Sequence, residues 1–199
     1  KSVNNIMTAL YAFVVISFFI TIVDIIIRFP LQSEMIDYND IQAIVINVLA
    51  LLIQIVSFAY GFVNAIRGML SPKRMGAVIT AFFAATCITG TGNMVIYSNV
   101  QIVLWWIVLI IPNIVGAVAT FAYFVLGKKS KIYSIIIYLV AIWGMFRIIY
   151  SNYNLIVHAN QYLSMNSTVR LVLEIAIHCL VIYQTYVLWI KRQNATDIS

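Results

Sequence analysis

Six runs of mostly apolar residues divide this chain, at roughly 6–29, 41–66, 75–96, 101–126, 132–150 and 169–190. At 1.5 Å rise per residue, each is long enough to cross a hydrocarbon core of about 30 Å as an α-helix. The runs are continuous rather than alternating, so helices are expected and not barrel strands. The chain of 199 residues is 63% hydrophobic and only 9% charged. A soluble domain carries about 25% charged residues, so lipid must take up this apolar surface. The expected fold is an all-α integral membrane protein. Its six transmembrane helices form a single polytopic domain over 1–199, with the second and fourth runs long enough to tilt. The longest loop, 151–168, is too short to fold as a soluble domain.

The charges mark the orientation. Nine of the twelve basic residues fall at four places: Lys1; Arg67, Lys73 and Arg74; Lys128, Lys129 and Lys131; and Lys191 with Arg192. Loop one, 31–40, carries Glu34, Asp37 and Asp40, and loops three and five have no Lys or Arg. Every even loop and both termini are positive, so the positive-inside rule places both termini in the cytoplasm. Tyr97, Trp105, Trp106, Tyr150 and Tyr153 then lie near the outer boundary, and Tyr133 and Trp189 near the inner one. The net charge of +6 is interleaved with apolar spans rather than gathered on a face, so nucleic acid is not an expected partner. Ile, Asn, Tyr and Lys have AT-rich codons, and the many Ile, Asn and Tyr residues suit an AT-rich genome and point to a bacterial cell membrane.

Met94-Val-Ile-Tyr97-Ser98-Asn99 and Arg147-Ile-Ile-Tyr150-Ser151-Asn152 close the third and fifth spans in similar ways. On this repeat the chain reads as three tandem hairpins with short outer turns. The first run is too long for a signal-peptide core and has no small-residue cleavage site, so it is expected to stay in the membrane. Cys87 and Cys179 both lie inside spans, which excludes a disulfide framework.

Three basic residues break the charge pattern. Arg28 follows Asp24 by one turn in span one, and Arg170, Glu174 and His178 succeed one another at i,i+4 in span six. These can neutralise one another within their own helices. Arg147 has no acid at i±3 or i±4. It is expected to snorkel, to pair across helices with Asp24 or Glu174, or to meet an anionic ligand. All six ionisable groups fall in the outer half or at mid-depth, and intramembrane charge usually faces a bundle interior or cavity. Two acids against three arginines suit a zwitterion or an anion.

Thr89-Gly90-Thr91-Gly92-Asn93 lies at the same depth in span three. Two glycines and two threonines either weaken the helix, exposing backbone to a solute, or let another helix approach closely. In span two, Asn47, Gln54, Ser57, Gly61 and Asn64 share one face, which is expected to point inward. Pro112 is expected to kink span four. Ala77, Ala81 and Ala85 form a small-residue ridge suited to close packing against another helix or a partner membrane subunit.

Catalytic signals are poor. Gly127-Lys-Lys-Ser130 lacks the order of a phosphate loop. Adjacent His178 and Cys179 point about 100° apart on a helix and cannot form a dyad. Glu174 and His178 alone are too few ligands for a metal. No metal or other cofactor is implied.

In helix count and topology the chain is similar to the substrate-capturing subunits of energy-coupling-factor transporters. It is also similar to HdeD-type small bacterial membrane proteins built from three hairpins. The expected function is a small transport component that captures a small polar solute, zwitterionic or anionic, in the outer half of the bilayer. Arg147, Asp24, Glu174, Arg28, Arg170 and His178 would handle charge, and Asn93, Thr91 and Asn47 would hydrogen-bond. The alternative is a non-catalytic accessory, sensory or immunity-type subunit that docks a partner protein.

Overall fold

A computed structural model of the chain describes residues 2–32, 38–96, 100–151 and 165–196. Among these, the regular structure is helical: α1 (Ser2–Gln32), α2 (Tyr38–Ile66), α3 (Pro72–Ile96), α4 (Val100–Thr120), α5 (Lys131–Ser151) and α6 (Met165–Thr196). A π-helical turn, Phe121–Val125, continues α4 without a break. All six helices contain a stretch long and apolar enough to cross a membrane. The all-helical, multi-pass expectation therefore holds. The longest helices are α1 and α6, of 31 and 32 residues, rather than those of the second and fourth runs.

Each helix packs on its neighbours in sequence, and α6 returns to pack on α1, closing a ring. α2 packs on α3 as well as on α1, so the described helices form a continuous ring. Named contacts show antiparallel registers. Tyr11 meets Gly61 and Phe18 meets Phe58 between α1 and α2. Phe58 meets Phe82 between α2 and α3, and Gln184 of α6 bonds Tyr11 of α1. Across the ring, the Phe82 and His178 rings meet edge-on at 5.4 Å, which closes the middle at that level.

The α3–α4 seam shows how the helices come so close. Gly76 faces Phe124, Phe83 faces Gly116, and Gly90 faces Ile110. On α3 these positions are seven residues apart, the spacing that keeps one stripe against an antiparallel partner. At each layer a glycine on one helix receives a bulky side chain from the other, so no cavity opens between them.

The turn from α2 to α3 closes with Gly68 at φ 66°, a left-handed conformation that costs glycine little. Gly68 N–H donates to Ala65 O at 3.0 Å and Met69 N–H to Asn64 O at 2.9 Å. Arg74 then ties the turn to α3. Its Nη1 donates to Asn64 Oδ1 at 2.8 Å and to Met69 O at 2.7 Å, while Asn64 Nδ2 donates to Tyr60 O. Arg74 is thus a structural clamp as well as part of the charge pattern. Beyond the π-turn the chain leaves through Gly127 at φ 67°.

Gly76 packs on Phe124 and Val125, which brings the α2–α3 and α4–α5 turns to one end of the bundle. With six antiparallel helices, the start of α1 and the end of α6 share that end. Arg67, Lys73, Lys128, Lys129, Lys131 and Lys191 are exposed there.

Candidate functional site

The candidate site is built from α5 and α6. Gly144 of α5 lies directly against the imidazole of His178 on α6, which is only 5% exposed. His178 Nδ1 lies 2.7 Å from the Glu174 carbonyl oxygen. A carbonyl can only accept, so Nδ1 carries the donated proton and Nε2 is the nitrogen turned to Gly144. Phe82 covers the ring edge-on. His178 is therefore held on three sides, by its own helix, by α5 and by α3.

From that contact the register runs outward. Arg147 is three residues on from Gly144 and Glu174 is four residues before His178, or about 4.5 Å and about 6 Å along their antiparallel axes. The two half-buried charges therefore sit at one depth on neighbouring helices. Both lie within electrostatic reach of His178. Each has polar or electrostatic contacts of its own, so Arg147 has company despite having no acid one turn away on α5.

The Tyr11–Gln184 contact sets a second register, between α1 and α6. Thirteen residues beyond Tyr11 is Asp24, and fourteen before Gln184 is Arg170. Both backbones are about 20 Å outward of the contact, roughly 5 Å beyond Glu174. Asp24, Arg28, Asn93 and Arg170 lie on helices, but their side chains, like residues Glu34 and Asp37, are outside what the structure describes.

The other expected ligands do not join this group. Asn47 and Thr91 are both exposed on the bundle surface. The polar face of α2 turns inward only toward its end, where Gly61 and Asn64 are buried, because its beginning faces outward. The Thr89–Asn93 stretch does not break α3, which runs unbroken to Ile96. Its glycines serve the second expectation: Gly90 receives Ile110 of α4 and Gly92 receives Ile46 of α2. An unbroken helix satisfies its own backbone, and apolar side chains on both flanks offer nothing in exchange for breaking it. The alanine ridge runs from exposed Ala77 through half-buried Ala81 to fully buried Ala85. Only its first residue is open to a partner.

One polar pair was not marked by sequence. Gln184 donates from Nε2 to the hydroxyl of Tyr11, and both residues are 0% exposed. Among the described residues, Gln184 Oε1 has no hydrogen-bond partner, and neither have Thr80 Oγ1 and Thr120 Oγ1. The signal was the spacing on α6: Glu174, Ile177, Val181, Gln184 and Leu188 form a stripe at steps of three and four, which marks Gln184 as inward-facing.

Two clefts of the described surface follow the α1–α2 seam rather than the charged group. Among the described residues no cluster of three or more His, Cys, Asp or Glu could hold a metal. Comparison with protein-family models, with curated proteins and with solved structures finds no match.

Proposed function

We propose that this multi-pass membrane protein is a small component of a transport system that captures a zwitterionic or anionic solute at the outer ends of α5, α6 and α1. One observation carries the reading: Arg147 and Glu174 share a depth on adjacent helices, with the backbones of Asp24 and Arg170 just outward of them. The layer lies at the end opposite the exposed lysines. By the positive-inside rule that end faces out of the cytoplasm, with both termini inside a bacterial cell membrane. The guanidinium would hold a carboxylate or phosphate, and the acids would hold an amine.

Thermal unfolding with a panel of small zwitterions and anions tests the reading. A captured solute at about 100 times its Kd stabilises by about 2.7 kcal/mol. Arg147→Ala is expected to remove most of that shift while the solute-free protein still unfolds cooperatively. An unchanged shift would remove Arg147 from the site.

A second reading, a non-catalytic accessory subunit, is supported by the packed surroundings of His178 and by the position of the clefts on the α1–α2 seam, away from the charged group. Its signature would be a protein that no solute stabilises and that purifies tightly with a partner.

The orientation is checked with single cysteines. Lys129→Cys is expected to resist a membrane-impermeant thiol reagent on intact cells and to react after permeabilisation. Labelling on intact cells would reverse the topology.

A further inference from the structure

The α1–α2 seam carries an amphipathic furrow that the charged site does not use. Its first part is a cleft of about 580 Å³ at the basic end of the bundle. Asn5 and Thr8 stand at the mouth, and Ala9, Ala12 and Ala65 line the middle. Small side chains leave the space that neighbouring helices would otherwise fill. The second part, about 100 Å³, lies further along the same seam and is wholly apolar, with Phe19 and Ile22 facing Ile55. Asn5 and Ile22 lie about 26 Å apart along α1, so the two clefts together span ample length for one acyl chain in a leaflet of about 15 Å. Ile66 lines the mouth, and the next residue is the exposed Arg67.

We infer that this furrow holds one phospholipid of the surrounding bilayer, selected for an anionic headgroup. The headgroup lies at Asn5, Thr8 and Arg67, and one acyl chain runs over the alanines toward Ile22. Charge decides the occupant. A second copy in the same orientation would bring its own exposed Arg67, Lys73, Lys128 and Lys129 to the same level, and like charges would oppose it. An anionic headgroup is attracted by those same residues, at roughly a fivefold gain in affinity for each basic residue near the surface. The inference does not depend on solute capture at α5 and α6.

The test adds phosphatidylglycerol or phosphatidylcholine to the full chain in neutral detergent. Thermal unfolding is followed, and a photoreactive phosphatidylglycerol is mapped by mass spectrometry. Phosphatidylglycerol is expected to raise the unfolding temperature more than phosphatidylcholine, with crosslinks on 5–22 and 55–66. Ala12→Leu, which fills the furrow, should abolish the difference. Arg67→Gln should reduce it, through an affinity for phosphatidylglycerol about fivefold lower. Ala84→Leu, on an exposed position of α3, should leave it unchanged. Equal response to the two lipids would overturn the inference. So would crosslinks confined to 128–131 with the preference intact in Ala12→Leu, or a change of oligomeric state in Ala12→Leu. The crosslink map uses the wild-type chain, so it decides even where a variant fails to fold.

Discussion

Gly76→Ala is expected to destabilise the protein by about 2–3 kcal/mol, although it adds a single methyl group. In an open helix position the same change would stabilise by up to about 1 kcal/mol, because alanine is the better helix former. Packing reverses the sign. A Cβ on Gly76 would fall on Cβ of Phe124. That atom is bound to the backbone of the π-helical turn, so no rotamer change relieves the overlap. α3 and the turn must separate, and overpacking of this kind typically costs 1–3 kcal/mol. At roughly 2–4 °C per kcal/mol for a chain of this size, the unfolding temperature should fall by about 4–12 °C. Two comparisons sharpen the result. Phe124→Ala keeps the Cβ and should not rescue Gly76→Ala. At Gly90 the atoms met are Cγ1 and Cδ1 of Ile110, which can move, so Gly90→Ala should cost less and Ile110→Ala should relieve it. A Gly76→Ala protein as stable as the wild type would show that α3 and α4 are not packed in this register.

That seam also shows what a sequence can and cannot say about such a bundle. The six helices were legible because lipid leaves the backbone few choices, and a run of about 20 apolar residues becomes a helix almost regardless of its neighbours. Small residues on α3 marked it as a helix of close approach, but not at which face. The alanine ridge was one residue away from the position that matters: Ala77 is exposed, whereas Gly76 is buried. Inward and outward faces of a membrane helix are both apolar, so the periodicity that orients a soluble helix is weak here. Arg74 illustrates the converse. It was legible as part of the charge pattern, and it lies at the end of the bundle that carries the exposed basic residues. Its bonds to Asn64 and Met69 depend on the geometry of the intervening turn, which Gly68 alone does not specify.

The candidate site was legible in part for a related reason. Charge is rare inside a membrane span, so Arg147, Glu174 and His178 stood out, and the register of α5 against α6 brings them together. The uncharged candidates carried no such signal. Thr91 was grouped with the charges by depth, which says nothing about direction around the helix, and Asn47 by a polar face of α2 that turns inward only toward its end. Both face outward. Tyr11 and Gln184 escaped notice because they lie 173 residues apart and neither is charged.

That pair gives the second large effect. Tyr11→Phe removes one oxygen and is expected to destabilise more than Gln184→Leu, which replaces a whole amide. The reason lies in what each change leaves behind. Gln184 is fully buried, and its Oε1 has no partner. Tyr11→Phe takes away the acceptor of Nε2, leaving the amide unpaired at both ends, at a cost of about 1–3 kcal/mol. Gln184→Leu leaves only the Tyr11 hydroxyl unpaired, and it also removes the unpartnered Oε1. The double variant removes all the polar atoms in question and is expected within about 1 kcal/mol of the wild type, since replacing both partners with apolar groups can be nearly neutral. The coupling energy from the full cycle should therefore be about 1–1.7 kcal/mol, near the upper end for hydrogen bonds between membrane helices, where unfolded segments also find partners. Additive single effects, or a Gln184→Leu protein less stable than Tyr11→Phe, would mean that the bond between α1 and α6 does not hold the ring closed.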